Sequence, residues 1–278
     1  MGMRKGDTIV VPARAISWLV LLVLAVPGIL YAPQLVIILA SVCCAVIATV
    51  EFCNLVHRIG WNARIWAVGS SSAITILLTG LDSWGVGPRM FVFCFVLALI
   101  SLAIPYLMWI NWRVVLKMMF SEVIGLTYLG FTLSYIPLIT AGENGREWLL
   151  YGLVIVSATD TGAYIIGRLF GKHQLAPSIS PAKTIEGALG GGATGVFFSV
   201  VMARLSSLGM GVMVSLLLGL VLSVLGQVGD LVESKLKRLA KVKDSGRIIP
   251  GQGGVLDRID SVVLVLPVLY HIISMELT

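Results

Sequence analysis

Charge is scarce in this chain. Only 12% of its residues are Asp, Glu, Lys or Arg, against 58% hydrophobic, and the mean hydropathy is +0.97. That balance excludes a soluble globular domain, in which about a quarter of residues carry charge. Histidines number three and cysteines four. Cys43, Cys44, Cys53 and Cys94 sit in apolar stretches without metal-type spacing, so they read as buried small hydrophobes rather than a zinc site or a disulfide frame. No convincing Ser-His-Asp or Cys-His arrangement is present, and no repeat or low-complexity linker divides the chain. An apolar run follows Arg4 and Lys5, but no A-x-A cleavage pattern comes after Leu30 and a second apolar run begins almost at once. The first run is therefore expected to stay attached as a span rather than act as a signal peptide.

What the chain has instead is apolar windows of bilayer-spanning length, about 20 residues each. They fall near 15–32, 34–53, 64–81, 89–110, 122–141, 148–168, 186–205, 208–228 and 259–275. The expectation is an all-α, polytopic integral membrane protein with about nine transmembrane helices. Assigning basic residues to alternate loops puts 17 on one side and only Arg89, Arg146 and Arg204 on the other, accounting for all 20. The positive-inside bias then predicts a cytoplasmic N-terminus, a C-terminus outside, and a net charge of +6 that reflects loops facing anionic lipid rather than nucleic acid.

Polar content shifts toward the second half. Residues 1–145 are expected to serve packing or oligomerisation, and residues 146–278 to form the catalytic region with two long cytoplasmic connections, 169–185 and 229–258. Ionisable residues inside spans are costly and suggest function. Asp160, in A-T-D-T-G-A-Y, is the clearest case, a candidate ligand of a metal or polar substrate. The loop after it carries Arg168, Lys172, His173 and Lys183 with hydroxyls at Ser178, Ser180 and Thr184, which suits an anionic headgroup or a nucleotide phosphate. The small-xxx-small series Gly187, Gly191 and Gly195 is expected to seat the seventh span against a neighbour.

The second connection is richer. Asp230 is followed by a basic stretch whose apolar residues from Leu231 to Val242 share a helical face, predicting a helix lying in the interface. Then come Lys243, Asp244, Ser245 and Gly246, the turn-forming run Pro250 to Gly254, and Asp257-Arg258-Ile259-Asp260. Asp257 and Asp260 are three apart and so face the same way on a helix, beside a glycine-rich turn whose N–H groups suit phosphate oxygens. With Asp230 they make a hard-oxygen set of the kind that holds Mg²⁺. Carboxylates joined to many cations point to chemistry on phosphates assembled by a divalent metal. A lipid phosphate monoester is already largely ionised near neutral pH and needs no dedicated base.

These residues resemble a known family, the phosphatidate cytidylyltransferases or CDP-diacylglycerol synthases. The resemblance is carried by residues 234–260, through Ser234, Lys237, Arg238, Lys243, Asp244, Gly246, Gly253, Gly254, Asp257, Arg258 and Asp260. A second block, 160–187, carries D-T-G-A-Y, G-R-L-F-G-K and I-S-P-A-K-T-I-E-G. The family usually has histidine before the paired glycines, where this chain has Gln252. The resemblance implies that phosphatidate attacks the α-phosphorus of CTP, giving CDP-diacylglycerol and pyrophosphate in a Mg²⁺-dependent step. It also implies a homodimer, in a bacterial inner membrane with the site facing the cytoplasm.

Carried onto this chain, the resemblance makes Asp230, Asp257 and Asp260 metal ligands, with two cation sites of which the second takes a different ion. Lys237, Arg238 and Arg258 join them as catalytic residues. Asp160, Lys172, Ser180, Lys183, Thr184, Lys243, Asp244, Gly253 and Gly254 are then substrate-binding. Two other readings stay open on the residues alone: a CTP-dependent lipid kinase, and an ion-coupled transporter using Asp160 and Asp230 as a relay.

Overall fold

The protein is described by a computed structural model over residues 26–82, 96, 98–100, 112–246, 248 and 253–276. Among these residues six helices are long and apolar enough to cross a membrane: Gln34–Arg58, Val114–Ala141, Gly145–Phe170, Ile185–Leu205, Val212–Leu239 and Leu256–Met275. This corrects the expectation of about nine. The apolar stretch Ile65–Leu81 forms a helix just short of that length, and the windows 15–32 and 89–110 lie largely outside the described residues. The parity that gave the two termini opposite sides goes with the count.

In chain order the elements are α1 (Gln34–Arg58), α2 (Ile65–Asp82), α3 (Trp112–Gly125), a π-helical turn (Leu126–Phe131), α4 (Tyr135–Ala141) and α5 (Gly145–Phe170). A hairpin of β1 (Gln174–Ala176) and β2 (Ser180–Thr184) follows, then α6 (Ile185–Leu205), α7 (Val212–Leu239), α8 (Leu256–Val263) and α9 (Val265–Glu276). The antiparallel hairpin, paired Gln174 with Thr184 and Ala176 with Ser180, is the one departure from all-α among the described residues.

Hydrogen bonds between helix ends fix two poles. At one pole the Gln34 amide donates to Pro137 O at 2.8 Å, Arg146 donates to Leu30 O and Ala32 O at 2.6 and 2.8 Å, and Ser207 N donates to Glu147 at 2.9 Å. The opposite pole holds the hairpin, the C-terminal end of α7 and the N-terminus of α8. There Arg64 forks onto the buried Glu122 carboxylate, tying α2 to α3 at 2.7 and 2.8 Å.

α5 and α6 approach closely because of small residues. A Cβ on Gly191 would stand 2.6 Å from Thr159 O, and one on Gly187 would stand 2.8 Å from Ala163 O. The glycine series thus seats α6 on α5, where lipid supplies no hydrophobic drive between helices. Beneath this crossing lies an apolar core that includes Tyr151, Ile155, Leu222, Leu266 and Leu269. Cys43, Cys44 and Cys53 are free thiols; Cys94 lies outside the described residues.

The basic stretch after Asp230 is not a separate interfacial helix. It continues α7, which runs unbroken for 28 residues, about 42 Å at 1.5 Å per residue, well beyond a hydrocarbon core of about 30 Å. Nothing between Asp230 and Leu239 is a proline or a glycine, so no residue ends the helix. The continuation aligns Asp230, Glu233 and Lys237 on one face.

Candidate active site

At the pole that carries the hairpin, a cavity of about 730 Å³ opens between α5, α6, α7, α8 and β2. Asp160, Lys183, Thr184, Asp230, Lys237, Asp244, Asp257, Arg258 and Asp260 all line it. Asp160 enters from α5, one residue after the buried Thr159 that packs on Ser223 at 2.8 Å. Asp230 enters from α7. Asp260 enters from the second turn of α8, only 7% exposed, with Oδ1 accepting from Ser261 N at 2.7 Å and from the Ser261 hydroxyl at 3.2 Å. Asp160, Asp230 and Asp260 lie within electrostatic reach of one another.

The hairpin brings a cation to these acids. Thr184 accepts the Gly187 N–H at 3.1 Å and so caps α6. Glu186 in the first turn of α6 accepts the N–H groups of Lys172 and His173 at 3.0 and 3.2 Å and meets His173 Nδ1 at 2.6 Å. With its base closed in this way, the hairpin sets Lys183 Nζ 2.6 Å from Asp230 Oδ2. Arg238 Nε donates to Ile179 O at 3.0 Å and ties the hairpin tip to α7.

Asp257 has a different setting. Its Oδ1 accepts from Lys237 Nζ at 2.8 Å, and its Oδ2 from Gly254 N at 2.8 Å and Ser245 N at 3.0 Å. The carboxylate therefore binds together the turn, the 241–246 segment and α7. Lys237 also ion-pairs with Glu233, which is 1% exposed. The Gly254 N–H, expected to receive phosphate, is engaged by this carboxylate, and Gly253 takes the left-handed φ of 89° that lets the turn fold back. Lys172, Ser180, Arg238, Lys243, Gly253 and Gly254 are not among the lining residues. Arg247 and Gln252 lie outside the described residues.

Two acids that organise this site escape the sequence reading. Glu233 stands three residues after Asp230 and four before Lys237, a spacing that puts all three on one helical face. Glu51 is an acid inside a 25-residue apolar helix, 3% exposed, and the rule that singles out Asp160 applies to it equally. Its Oε1 accepts from Val255 N at 3.1 Å, and its Oε2 from Leu256 N at 2.8 Å and the Ser245 hydroxyl at 3.2 Å.

The donor chemistry of the cavity, carboxylates with neighbouring hydroxyls, is all hard oxygen and fits Mg²⁺. Among the described residues no group of three or more His, Cys, Asp or Glu is arranged to hold a metal ion.

The model of the cytidylyltransferase family matches residues 12–276. Over 127 residues the chain is 51% identical to the phosphatidate cytidylyltransferase of Staphylococcus haemolyticus, covering 46% of this chain and 49% of that protein. It is 54% identical over 127 residues to the phosphatidate cytidylyltransferase of Staphylococcus epidermidis, and 50% identical over 127 residues to that of Staphylococcus aureus, with the same shares covered. The chain spans about half the length of the curated relatives it matches.

Proposed function

The chain belongs to the cytidylyltransferase family, and from that premise we propose that it transfers the cytidylyl group of CTP to phosphatidate. A lipid phosphate oxygen attacks the α-phosphorus, the bond from that phosphorus to the bridging oxygen breaks, and pyrophosphate leaves with CDP-diacylglycerol as the other product. The observation that carries the reading is that Asp160, Asp230 and Asp260 line one cavity together with Lys183, Lys237 and Arg258 at one pole of a helical membrane protein.

Two anions meet in this reaction, so the site must offset their repulsion and align them. Lys183 and Arg258 supply positive charge to the cavity from two elements, β2 and α8. Lys237 is held between Glu233 and Asp257 and fixes the α8 turn to α7. Of the three aspartates expected as metal ligands, we assign Asp230 and Asp260 to the cation. Asp257 goes to positioning, because its oxygens are held by the backbone N–H groups of Gly254 and Ser245 as well as by Lys237. Among the described residues Asp230 is met only by the side chains of Lys183 and Ser234, which can turn away to admit a cation. Bound there, Mg²⁺ would neutralise phosphate charge and support the departing pyrophosphate. A second, different cation is part of the same proposal.

The basic residues of the hairpin and of the α7 end gather at the pole of the cavity, which supports a cytoplasmic orientation in a bacterial inner membrane. Exposed apolar residues on α6 and α7, Phe197 and Leu217 among them, suit lipid or a second copy in a homodimer. The test is turnover by the purified full chain in detergent. CTP and phosphatidate with Mg²⁺ are expected to give CDP-diacylglycerol and pyrophosphate in equal amounts, and neither product is expected when a chelator removes the metal. No product with Mg²⁺ present would overturn the proposal.

A further inference from the structure

Glu51 belongs to the half of the chain whose sequence speaks only of packing, yet its carboxylate is aimed at the segment that presents Asp257 and Asp260. Three donors converge on it: the first-turn N–H groups of α8, from Val255 and Leu256, and the Ser245 hydroxyl. The glycines around it are shaped to this carboxylate. A Cβ on Gly246 would overlap Glu51 Oε1 and come within 2.8 Å of its Cδ, and a Cβ on Gly254 would overlap Oε2. Gly246 has no left-handed φ, so what a Cβ there conflicts with is the Glu51 carboxylate, which it would have to displace. The N–H groups at a helix N-terminus form an anion site; here Glu51 and Asp257 fill it from within the protein. Gly246 and Gly254 therefore make room for a side chain of α1.

We infer that Glu51 is a positioning residue for the proposed cytidylyl transfer, clamping Ser245, Val255 and Leu256 so that α8 presents Asp260 and Asp257 to the cavity. The inference rests on the functional reading above for its effect on turnover, and on geometry alone for its effect on the turn. Both oxygens act as acceptors. A glutamine of the same size must point its NH₂ at the backbone N–H of either Val255 or Leu256, leaving a buried donor unsatisfied. If Glu51 only filled space, the isosteric amide would replace it without loss.

The experiment uses the full chain purified in detergent as wild type, Glu51→Gln, Glu51→Ala, Gly246→Ala and the Glu51→Ala/Gly246→Ala double variant. Turnover of CTP with phosphatidate and amide exchange along the chain are both measured. Glu51→Gln is expected to lower kcat by about tenfold or more and to speed exchange at residues 253–258 by a similar factor, the scale of one unsatisfied buried group. Exchange in α5 and α6 stays at wild-type rates, which reports an intact fold. Gly246→Ala is expected to impair the wild-type background and to add nothing once Glu51 is alanine. Wild-type turnover and exchange in Glu51→Gln would overturn the inference, as would a Gly246→Ala defect of equal size in both backgrounds. If the wild-type chain itself turns over no CTP, the functional reading fails, while exchange still decides whether Glu51 holds the turn.

Discussion

Lys183 Nζ on the hairpin lies 2.6 Å from Oδ2 of Asp230 on α7, a contact that joins the two connections in which the sequence concentrates its charge. Both side chains keep partial solvent exposure, 26% and 30%, so the pair contributes at most about 1 kcal/mol to stability. Its value is placement. Lys183→Ala is expected to lower kcat/KM for CTP by roughly tenfold or more, while the melting midpoint moves by no more than about 4 °C. Parallel rate and melting measurements check this; a large drop in melting with unchanged rates would make the pair structural.

The two acids of α8 are expected to behave differently. Asp260→Asn and Asp230→Asn remove proposed metal ligands and should raise the Mg²⁺ concentration needed for half-maximal turnover. Asp257→Asn instead sets an amide NH₂ either against Lys237 or against the N–H groups of Gly254 and Ser245. It should cost about 1–3 kcal/mol of stability and leave the Mg²⁺ midpoint of the residual activity unchanged. Titrating Mg²⁺ for each variant, with a melt beside it, separates the roles.

Lys237 ion-pairs with two carboxylates at once, the buried Glu233 and Asp257. Lys237→Met leaves both without their partner, a loss of about 3–5 kcal/mol for a broken buried pair. Glu233→Gln keeps the shape and leaves Asp257 to hold the ammonium, so its cost should be clearly smaller. Denaturation of the two variants in one detergent orders them; equal stability would remove the ion cluster from the account.

Gly191→Ala is expected to push α6 off α5, because its Cβ would meet Thr159 O at 2.6 Å and Ala163 Cβ at 2.8 Å. Overpacking of this kind costs about 1–3 kcal/mol, and the shift should reach Asp160 and Thr184, lowering rate and melting together. Gly192→Ala meets nothing within 4 Å and should leave both near wild type.

The sequence exposes much of this architecture where one physical rule dominates. Hydropathy over about 20 residues finds α2, α5 and α6 to within three residues at each end, and the four-residue glycine spacing marks the face on which α6 seats against a neighbour. Charge inside or beside spans leads to Asp160, Asp230 and Asp260, which the cavity unites. The rest depends on contacts distant in sequence. Whether the stretch after Asp230 lies in the interface or prolongs α7 is undecided by its amphipathic pattern, since both arrangements bury the same face. The hairpin is invisible to hydropathy because its strands are three and five residues long. Glu51 meets its partners about 200 positions away, and no local pattern shows that the glycines near Gly254 accommodate a carboxylate rather than a phosphate.

The central claim is that the lipid phosphate attacks the α-phosphorus of CTP. The direct test is to supply CTP labelled at the α- or at the γ-phosphorus and to find which label enters the lipid. The account predicts α-label in the lipid and γ-label released as pyrophosphate; γ-label in the lipid, with CDP set free, would contradict it and leave a lipid kinase in its place.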